Sequence, residues 1–332
     1  MNRKQRRLCA AAIIVLGWIV MLPAVQAVPD ELPVSITVDA NRAWVRAGDD
    51  VLLLYRYGDV PFKPYVKELF TPSGLNVLLD SPADHIHHHA LMFAVAVDGV
   101  TYWAEYAGAP PTDVNARPGK QEHQRFPDVA VVEAGGLSWG RFAESVRWVS
   151  PRDNRPALIE RRAVAATRLS EPATILLTWQ CELAVPAGKE SVILSGSHYY
   201  GLGLRFIRAM DADGTFRNPD GKPGTVFRGD ERLVRSNWCA YTARTDGKDV
   251  TVAMFGHPDN ARHPTTWFTM ARPFAYLSAT LGLHETPLKV AAGKPLSLCY
   301  GVALWDGRVE SARIDKLYQR WVAIARNDHS KP

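Results

Sequence analysis

The chain has 332 residues, with 39 Lys and Arg against 34 Asp and Glu and a formal net charge of +5. Four of the basic residues, Arg3, Lys4, Arg6 and Arg7, lie ahead of residue 8, and beyond residue 27 the balance is 35 against 34. Such a near-neutral body lacks the basic surface of a nucleic-acid binder, so no nucleic-acid partner is expected.

The first 27 residues have the three parts of a secretory leader. The basic start is followed by the uncharged run Leu8 to Leu22 and then by Val25-Gln26-Ala27, with small residues at the −3 and −1 positions. The run has 15 residues, short of the roughly 20 that a spanning helix needs. Cleavage is therefore expected over anchoring, giving a periplasmic or secreted protein with no membrane association afterwards. Of the four cysteines, Cys181, Cys239 and Cys299 remain after cleavage. An odd number cannot pair completely, and the spacings fit no zinc ribbon, so one disulfide is the most they can form.

Residues 28–332 read as one domain of strands punctuated by Gly, Pro, Asp and Asn. In chain order the strands are 35–39, 43–46, 51–57, 90–97, 100–103, 129–133, 143–149, 158–167, 174–183, 202–207, 250–255 and 296–304. Asp98-Gly99 is a hairpin-type turn. In 174–183, Ile175, Leu177, Trp179, Cys181 and Leu183 share one face, while Thr174, Thr178, Gln180 and Glu182 share the other. That alternation predicts a sheet buried on one side. Asp211 to Asp230, rich in Gly, Asp and Pro, is expected to be a long surface loop. Only Ile314, Leu317, Tyr318, Trp321 and Ala325 carry a helical period, near the chain end, where a helix would lie across the sheet edge or beneath it. About fifteen strands without a βαβ rhythm give an all-β fold, a large antiparallel β-sandwich with a C-terminal helix.

The candidate chemistry centres on Asp80-Ser81-Pro82-Ala83-Asp84-His85-Ile86-His87-His88-His89, where four of ten histidines fall within five residues. Imidazole suits proton transfer or metal ligation near neutral pH. If the following strand extends back into this block, His85, His87 and His89 face one way, and His88 shares the other face with Ala90, Met92, Ala94 and Ala96. His88 above small residues is thus the first candidate for lining a pocket, followed by His85 and His87. Adjacent histidines on a strand cannot all reach one ion, so metal binding by the cluster is the lesser reading. Three other segments have a comparable make-up. Ser197-His198-Tyr199-Tyr200-Gly201-Leu202-Gly203-Leu204-Arg205 opens a strand, and its glycines fit either close backbone approach or bulges. The loop from Gly256 to Trp267 holds Asn260, Arg262, His263 and Trp267, with two His-Pro pairs that also suit rigid turns. Lys63 to Pro72 offers Glu68, either a base or the partner of Lys67 or Lys63 in a surface salt bridge.

Phe62-Lys63-Pro64-Tyr65, Phe70-Thr71-Pro72-Ser73-Gly74, the Asp80–His88 block and His257-Pro258 with His263-Pro264-Thr265-Thr266-Trp267 together resemble the DUF6807 family, once labelled "methane oxygenase PmoA". The resemblance covers most of the chain after the leader, and Asp-His-x-His-His is its most specific part. His89-Ala90 departs from it, since the family pattern more often has Arg-Gly there. Methane oxidation is rejected: the membrane methane monooxygenase subunit spans the bilayer repeatedly, whereas nothing after the leader is long enough to span once. The resemblance implies a secreted β-sandwich, similar in scaffold to galactose-mutarotase-like proteins and commonly found with sugar-degradation genes.

The favoured expectation is therefore an enzyme acting on a sugar, sugar derivative or oligosaccharide by acid/base chemistry. His88 or His198 is the expected general acid and Glu68 or Asp84 the general base. His85, His87, Tyr199, Arg205, Asn260, Arg262, His263 and Trp267 would orient substrate. This reading requires no cofactor. A transition-metal enzyme using His85–His89 is the alternative, and a non-catalytic glycan-binding protein the third reading.

Overall fold

The computed structural model describes residues 32–211 and 213–328, so the expected leader, residues 1–27, lies outside the described residues. Strand after strand places β-branched, aromatic and aliphatic residues on alternate sides, and these strands assemble into two large antiparallel sheets. The first sheet has ten strands, in the order Val34–Val38, Arg42–Ala47, Asp50–Arg56, Tyr65–Leu69, Leu91–Ala94, Gly201–Arg205, Tyr276–Thr280, Thr265–Met270, Glu231–Ser236 and Thr225–Arg228. The second has eight: Thr215–Arg217, Trp238–Thr245, Lys248–Gly256, Leu296–Asp306, Ala173–Ala184, Pro156–Ser170, Leu137–Val149 and Lys120–Ala134. A small third sheet pairs Leu288–Ala291, Ser191–Ser195, Ala96–Val97 and Val100–Thr101. The all-β antiparallel sandwich expected from the sequence is thus the observed architecture.

The main core lies between the large sheets and includes Tyr55, Leu91, Phe93, Leu202 and Leu204 from one and Trp148, Val164, Leu177, Trp179 and Val252 from the other. Ile175, Leu177, Trp179, Cys181 and Leu183 all enter it, as their alternation predicts. Their strand, however, is buried on both sides. Leu176 on its reverse face packs under the C-terminal helix Ser311–Asp328, together with Trp139, Phe255 and Ala303. The helix lies across the outer face of the eight-stranded sheet, not its edge, and contributes Ile314, Leu317, Tyr318, Trp321 and Ala325. Burying each of its large side chains contributes about 1.5–3 kcal/mol. Trp321 also donates its indole N–H to the Thr178 hydroxyl at 3.0 Å. Gly301 sits beneath that indole, where a Cβ would crowd the ring.

Two expectations need correction. Asp211–Asp230 is not all loop: Thr215–Arg217 and Thr225–Arg228 are short edge strands of the eight- and ten-stranded sheets respectively. The expected strand 90–97 is split into Leu91–Ala94 and Ala96–Val97, which join different sheets. It does not extend back into the histidine block, because Ala90 sits at φ +40° and turns the chain sharply. Cys181, Cys239 and Cys299 are buried thiols with no disulfide among them. No helix among the described residues is long and apolar enough to cross a membrane.

Candidate functional site

The histidine block is a sequence of tight turns. Ser81, at φ +46°, donates its backbone N–H to His88 O at 2.9 Å, and His88 N–H donates to His85 O at 2.9 Å. The second bond closes a turn that places His85 and His88 on one side, with their rings stacked 4.7 Å apart at 21°. His87 joins them, 4.6 Å from His88 and 5.8 Å from His85 between ring centroids. These three imidazoles, expected to alternate across a strand, therefore converge. They form one wall of a cavity of about 350 Å³. Across it lie Phe268, Met270, Phe274 and Tyr276, with Tyr199, Arg228 and Glu231 completing the lining.

His89 is the one that turns away. Its Nδ1 meets Asp80 at 2.8 Å, its Nε2 meets Glu105 at 3.0 Å, and its ring stacks on Tyr65 at 4.4 Å. Burial opposes protonation of His89, but the hydrogen bonds to Asp80 and Glu105 outweigh it and raise the pKa. Glu105 also pairs with the buried Lys63. His89 is thus held between two carboxylates that favour its protonated form, a structural part separate from the cavity.

The cavity imidazoles behave in the opposite way. Burial, reinforced by the charge of Lys63, lowers His87 to about 4. Burial and the neighbouring His87 and His85 lower His88 to about 2. Both rings are neutral near pH 7, and each is able to donate at one nitrogen and accept at the other. His88 Nδ1 and the Tyr276 hydroxyl are buried and meet no protein partner, although the two rings lie 5.0 Å apart. Burial raises the Tyr276 pKa, so the phenol keeps its proton. Gly203 makes room for it: a Cβ there would collide with the Tyr276 hydroxyl. Of the two readings of these glycines, close approach or bulge, close approach is what Gly203 shows.

Glu231 is the carboxylate of the cavity. His198 Nε2 donates to its Oε2 at 2.9 Å, and Arg228 donates to its Oε1 at 2.7 Å. Because the Glu231 carboxylate only accepts, it sets the tautomer with Nε2 protonated, and Ser197 Oγ, 3.1 Å from His198 Nδ1, can donate to that nitrogen. Phe227 stacks on the outer face of the same imidazole at 3.7 Å. Burial lowers the His198 pKa despite the Glu231 contact. His198 therefore stands behind Glu231 and holds it.

This arrangement revises the expected pairings. Neither Glu68 nor Asp84 lines the cavity. Glu68, on Tyr65–Leu69, is half exposed with Lys67 at 3.9 Å. Asp84 is exposed at the rim, 3.1 Å from His85 and 3.6 Å from Arg208, and the His85 hydrogen bond lowers its pKa. Arg205 is buried and supports the wall indirectly, its guanidinium 3.7 Å from the Phe274 ring centre and bonded to Ala275 O at 3.1 Å. Asn260 spends its amide on Cys299, accepting from its N–H at 2.7 Å and donating to its carbonyl at 2.8 Å. Trp267 is wholly buried and donates to Ser236 O at 3.0 Å. Arg262 and His263 lie outside this cavity, and burial lowers the His263 pKa. Glu231, Tyr276, Phe268 and Phe274 were not among the expected residues, since only the pairing of Gly201–Arg205 with Tyr276–Thr280, and of Thr265–Met270 with Glu231–Ser236, gathers them. His85 and His88 stack face to face, and no group of three or more His, Cys, Asp or Glu side chains is arranged to hold a metal among the described residues.

The molecule is thus an antiparallel β-sandwich with an imidazole-lined cavity against its ten-stranded sheet. Residues 42–319 match the family of unknown function DUF6807, and the chain belongs to that family. No curated protein matches it. Among solved structures it is similar to an α-galactosidase from Lactobacillus brevis, at 7% identity and a TM-score of 0.40, over 81% of this chain and 39% of that one. A second α-galactosidase, AgaA from Geobacillus stearothermophilus, matches at 8% identity and a TM-score of 0.40, over 83% of this chain and 41% of that one. A galactose mutarotase related enzyme from Lactobacillus acidophilus matches at 10% identity and a TM-score of 0.39, over 83% of this chain and 100% of that one. The chain therefore spans about two fifths of the length of the two α-galactosidases.

Proposed function

We propose that the protein is exported and binds a sugar or sugar derivative in the His85/His87/His88 cavity, where Glu231 performs acid/base chemistry on it. The observation that carries this reading is the pair of buried, unpartnered polar atoms on residues that line the cavity, His88 Nδ1 and the Tyr276 hydroxyl. A buried polar atom left without a partner costs about 1–3 kcal/mol. Two such atoms, both uncharged, suit a ligand whose hydroxyls donate and accept. Phe268 and Phe274 beside them suit the C–H faces of a sugar ring. The volume of about 350 Å³ lies at the small end for ligand pockets and fits a compact molecule.

Glu231 would transfer the proton, with His198 and Arg228 fixing its oxygens, while His88, His87 and Tyr276 bind hydroxyls as neutral groups. His88 is too weakly basic to be the general acid. A binding protein without turnover is the second reading, favoured by the fact that both Glu231 oxygens already have partners. A screen of monosaccharides and disaccharides, read by ligand-detected NMR and by product formation, tests both. Glu231→Gln should retain binding and lower kcat by about 10²–10⁴, whereas His88→Ala should weaken binding itself. Wild-type binding and turnover in both variants would sink the assignment; binding that is never followed by product would favour the second reading.

A further inference from the structure

Beside the cavity runs a wider groove of about 1010 Å³. The edge strand Thr225–Arg228 belongs to both, with Phe227 lining the groove and Arg228 the cavity. Phe227 is 47% exposed and is the one aromatic among the exposed large hydrophobic side chains of the described residues. Its ring is not free to fold away, because it is stacked on His198, which in turn holds Glu231. An aromatic face kept in water next to a candidate acid/base group is a stacking platform for a second ring.

The charges of the groove are unbalanced in a particular way. Asp220 lies 3.8 Å from Lys222, and Glu285 lies 3.8 Å from His284. Arg235 and Arg262 line the same groove, and among the described residues neither pairs with a carboxylate. Arg262 donates to the carbonyls of Leu281, Gly282 and Pro287 at 2.6, 3.1 and 3.2 Å. Arg235 reaches only the carbonyls of Pro264, Arg262 and His263, at 3.4, 3.4 and 3.5 Å. Guanidinium forks match carboxylates and sulfates in shape as well as charge.

We infer that the groove takes an anionic sugar unit linked to the unit in the cavity, so that the ligand is an acidic oligosaccharide. This inference rests on the sugar reading of the cavity. Its oxyanion is either a uronate carboxylate or a sulfate ester, facing Arg235 and Arg262, while Phe227 stacks on the ring.

The test is an array of neutral, uronate-containing and sulfated oligosaccharides probed with the whole protein at low and physiological salt, followed by titration of the best glycans. Arg235 is exposed, so Arg235→Gln leaves the fold in place, and Phe227→Ala serves as a second variant. The expected result is about tenfold tighter binding of acidic than of neutral glycans, weakened by salt and abolished by Arg235→Gln. His88→Ala should weaken acidic and neutral glycans alike, and the uronate and sulfate arms identify the oxyanion. Equal binding of neutral and acidic glycans, unaffected by Arg235→Gln but weakened by His88→Ala, overturns the groove inference and leaves the cavity reading standing. An acidic preference that Arg235→Gln removes while His88→Ala changes nothing keeps an anion-binding groove but overturns the cavity reading and, with it, the linked oligosaccharide. Binding to no glycan of any arm overturns both.

Discussion

Arg162 and His88 are both polar side chains buried in the sandwich, yet their surroundings differ in kind. All five guanidinium donors of Arg162 are used: Nε and Nη2 on Glu160, Nη2 on Gln121, and Nη1 on Tyr55 and the Pro64 carbonyl. Glu160 accepts the Trp148 indole N–H at 2.8 Å, while Glu144 accepts Tyr55 O–H and meets His123 at 2.7 Å. The network crosses from the eight-stranded sheet to Tyr55 on the ten-stranded one. His88 instead leaves Nδ1 without a hydrogen-bond partner, as does the hydroxyl of Tyr276, whose ring lies 5.0 Å away. A closed polar network holds two sheets in register, whereas an open one of neutral groups keeps unused hydrogen-bonding capacity on residues that line a cavity. Polar satisfaction, rather than residue type, separates architecture from site.

The comparison is broken most severely by removing Arg162. Arg162→Met keeps the volume and leaves Glu160 and Glu144 buried without their cation, so unfolding in urea should show a loss of about 3–5 kcal/mol. His88→Ala, on the open side, should cost much less. If the two variants melt alike, the distinction between closed and open networks fails.

Acid acts on the open side next. Because His87 and His88 are lowered to about 4 and about 2, the unfolded chain takes up protons below its ordinary imidazole pKa while the folded protein does not. Their contribution to stability is therefore complete above about pH 6.5, and falls with pH down to about 4 for His87 and about 2 for His88. By pH 5 the His88 imidazole costs up to about 2 kcal/mol, and the more exposed His87, screened by solvent, costs less. His89, raised by Asp80 and Glu105, works in the opposite sense: its contribution is present in acid and is lost as pH rises through its folded pKa. Urea midpoints between pH 7 and 5 should fall in the wild type and fall less in a His87→Gln, His88→Gln double variant. An equal slope in both would remove the assignment.

Those opposite roles within one run of histidines show where the sequence is informative. Alternation in Ala173–Ala184 made legible which residues enter the main core, though not that the helix covers the strand's other face. The period of Ser311–Asp328 made legible the buried side of the helix. The histidine block was legible as chemistry but not as geometry, since its facing depends on two turns and on the positive φ of Ala90. Glu231 and Tyr276 were not legible at all. Each opens an ordinary strand, and only pairing over tens of residues brings them to the cavity that His88 lines. Asn260 and Trp267 were the reverse case: polar and aromatic residues in a loop after a strand look like a site, but their hydrogen bonds go to backbone groups.

Tyr276→Phe sharpens the contrast in a single atom. The hydroxyl is buried and has no protein partner, so its removal should leave stability unchanged or raise it by about 1 kcal/mol. If that oxygen serves the ligand, the same variant should bind sugar more weakly while melting no lower than wild type. A drop in stability together with unchanged binding would make Tyr276 part of the architecture instead.

The smallest effect concerns the turn that directs His88 and His89 apart. Ala90 is buried at φ +40°, in the left-handed region where a side chain costs about 1–2 kcal/mol. Its backbone is held there from both sides, with its N–H on Leu79 O at 3.2 Å and its carbonyl accepting from Arg205 at 2.8 Å. Ala94, equally buried in the strand Leu91–Ala94, carries no such strain. Replacing either by glycine removes one buried methyl and loosens the unfolded chain, costs that glycine at position 90 offsets by relieving strain. Ala90→Gly should therefore be close to neutral, with Ala94→Gly about 1–2 kcal/mol worse in the same urea titration. Equal losses would mean that the turn is unstrained and that another contact determines which way His88 faces.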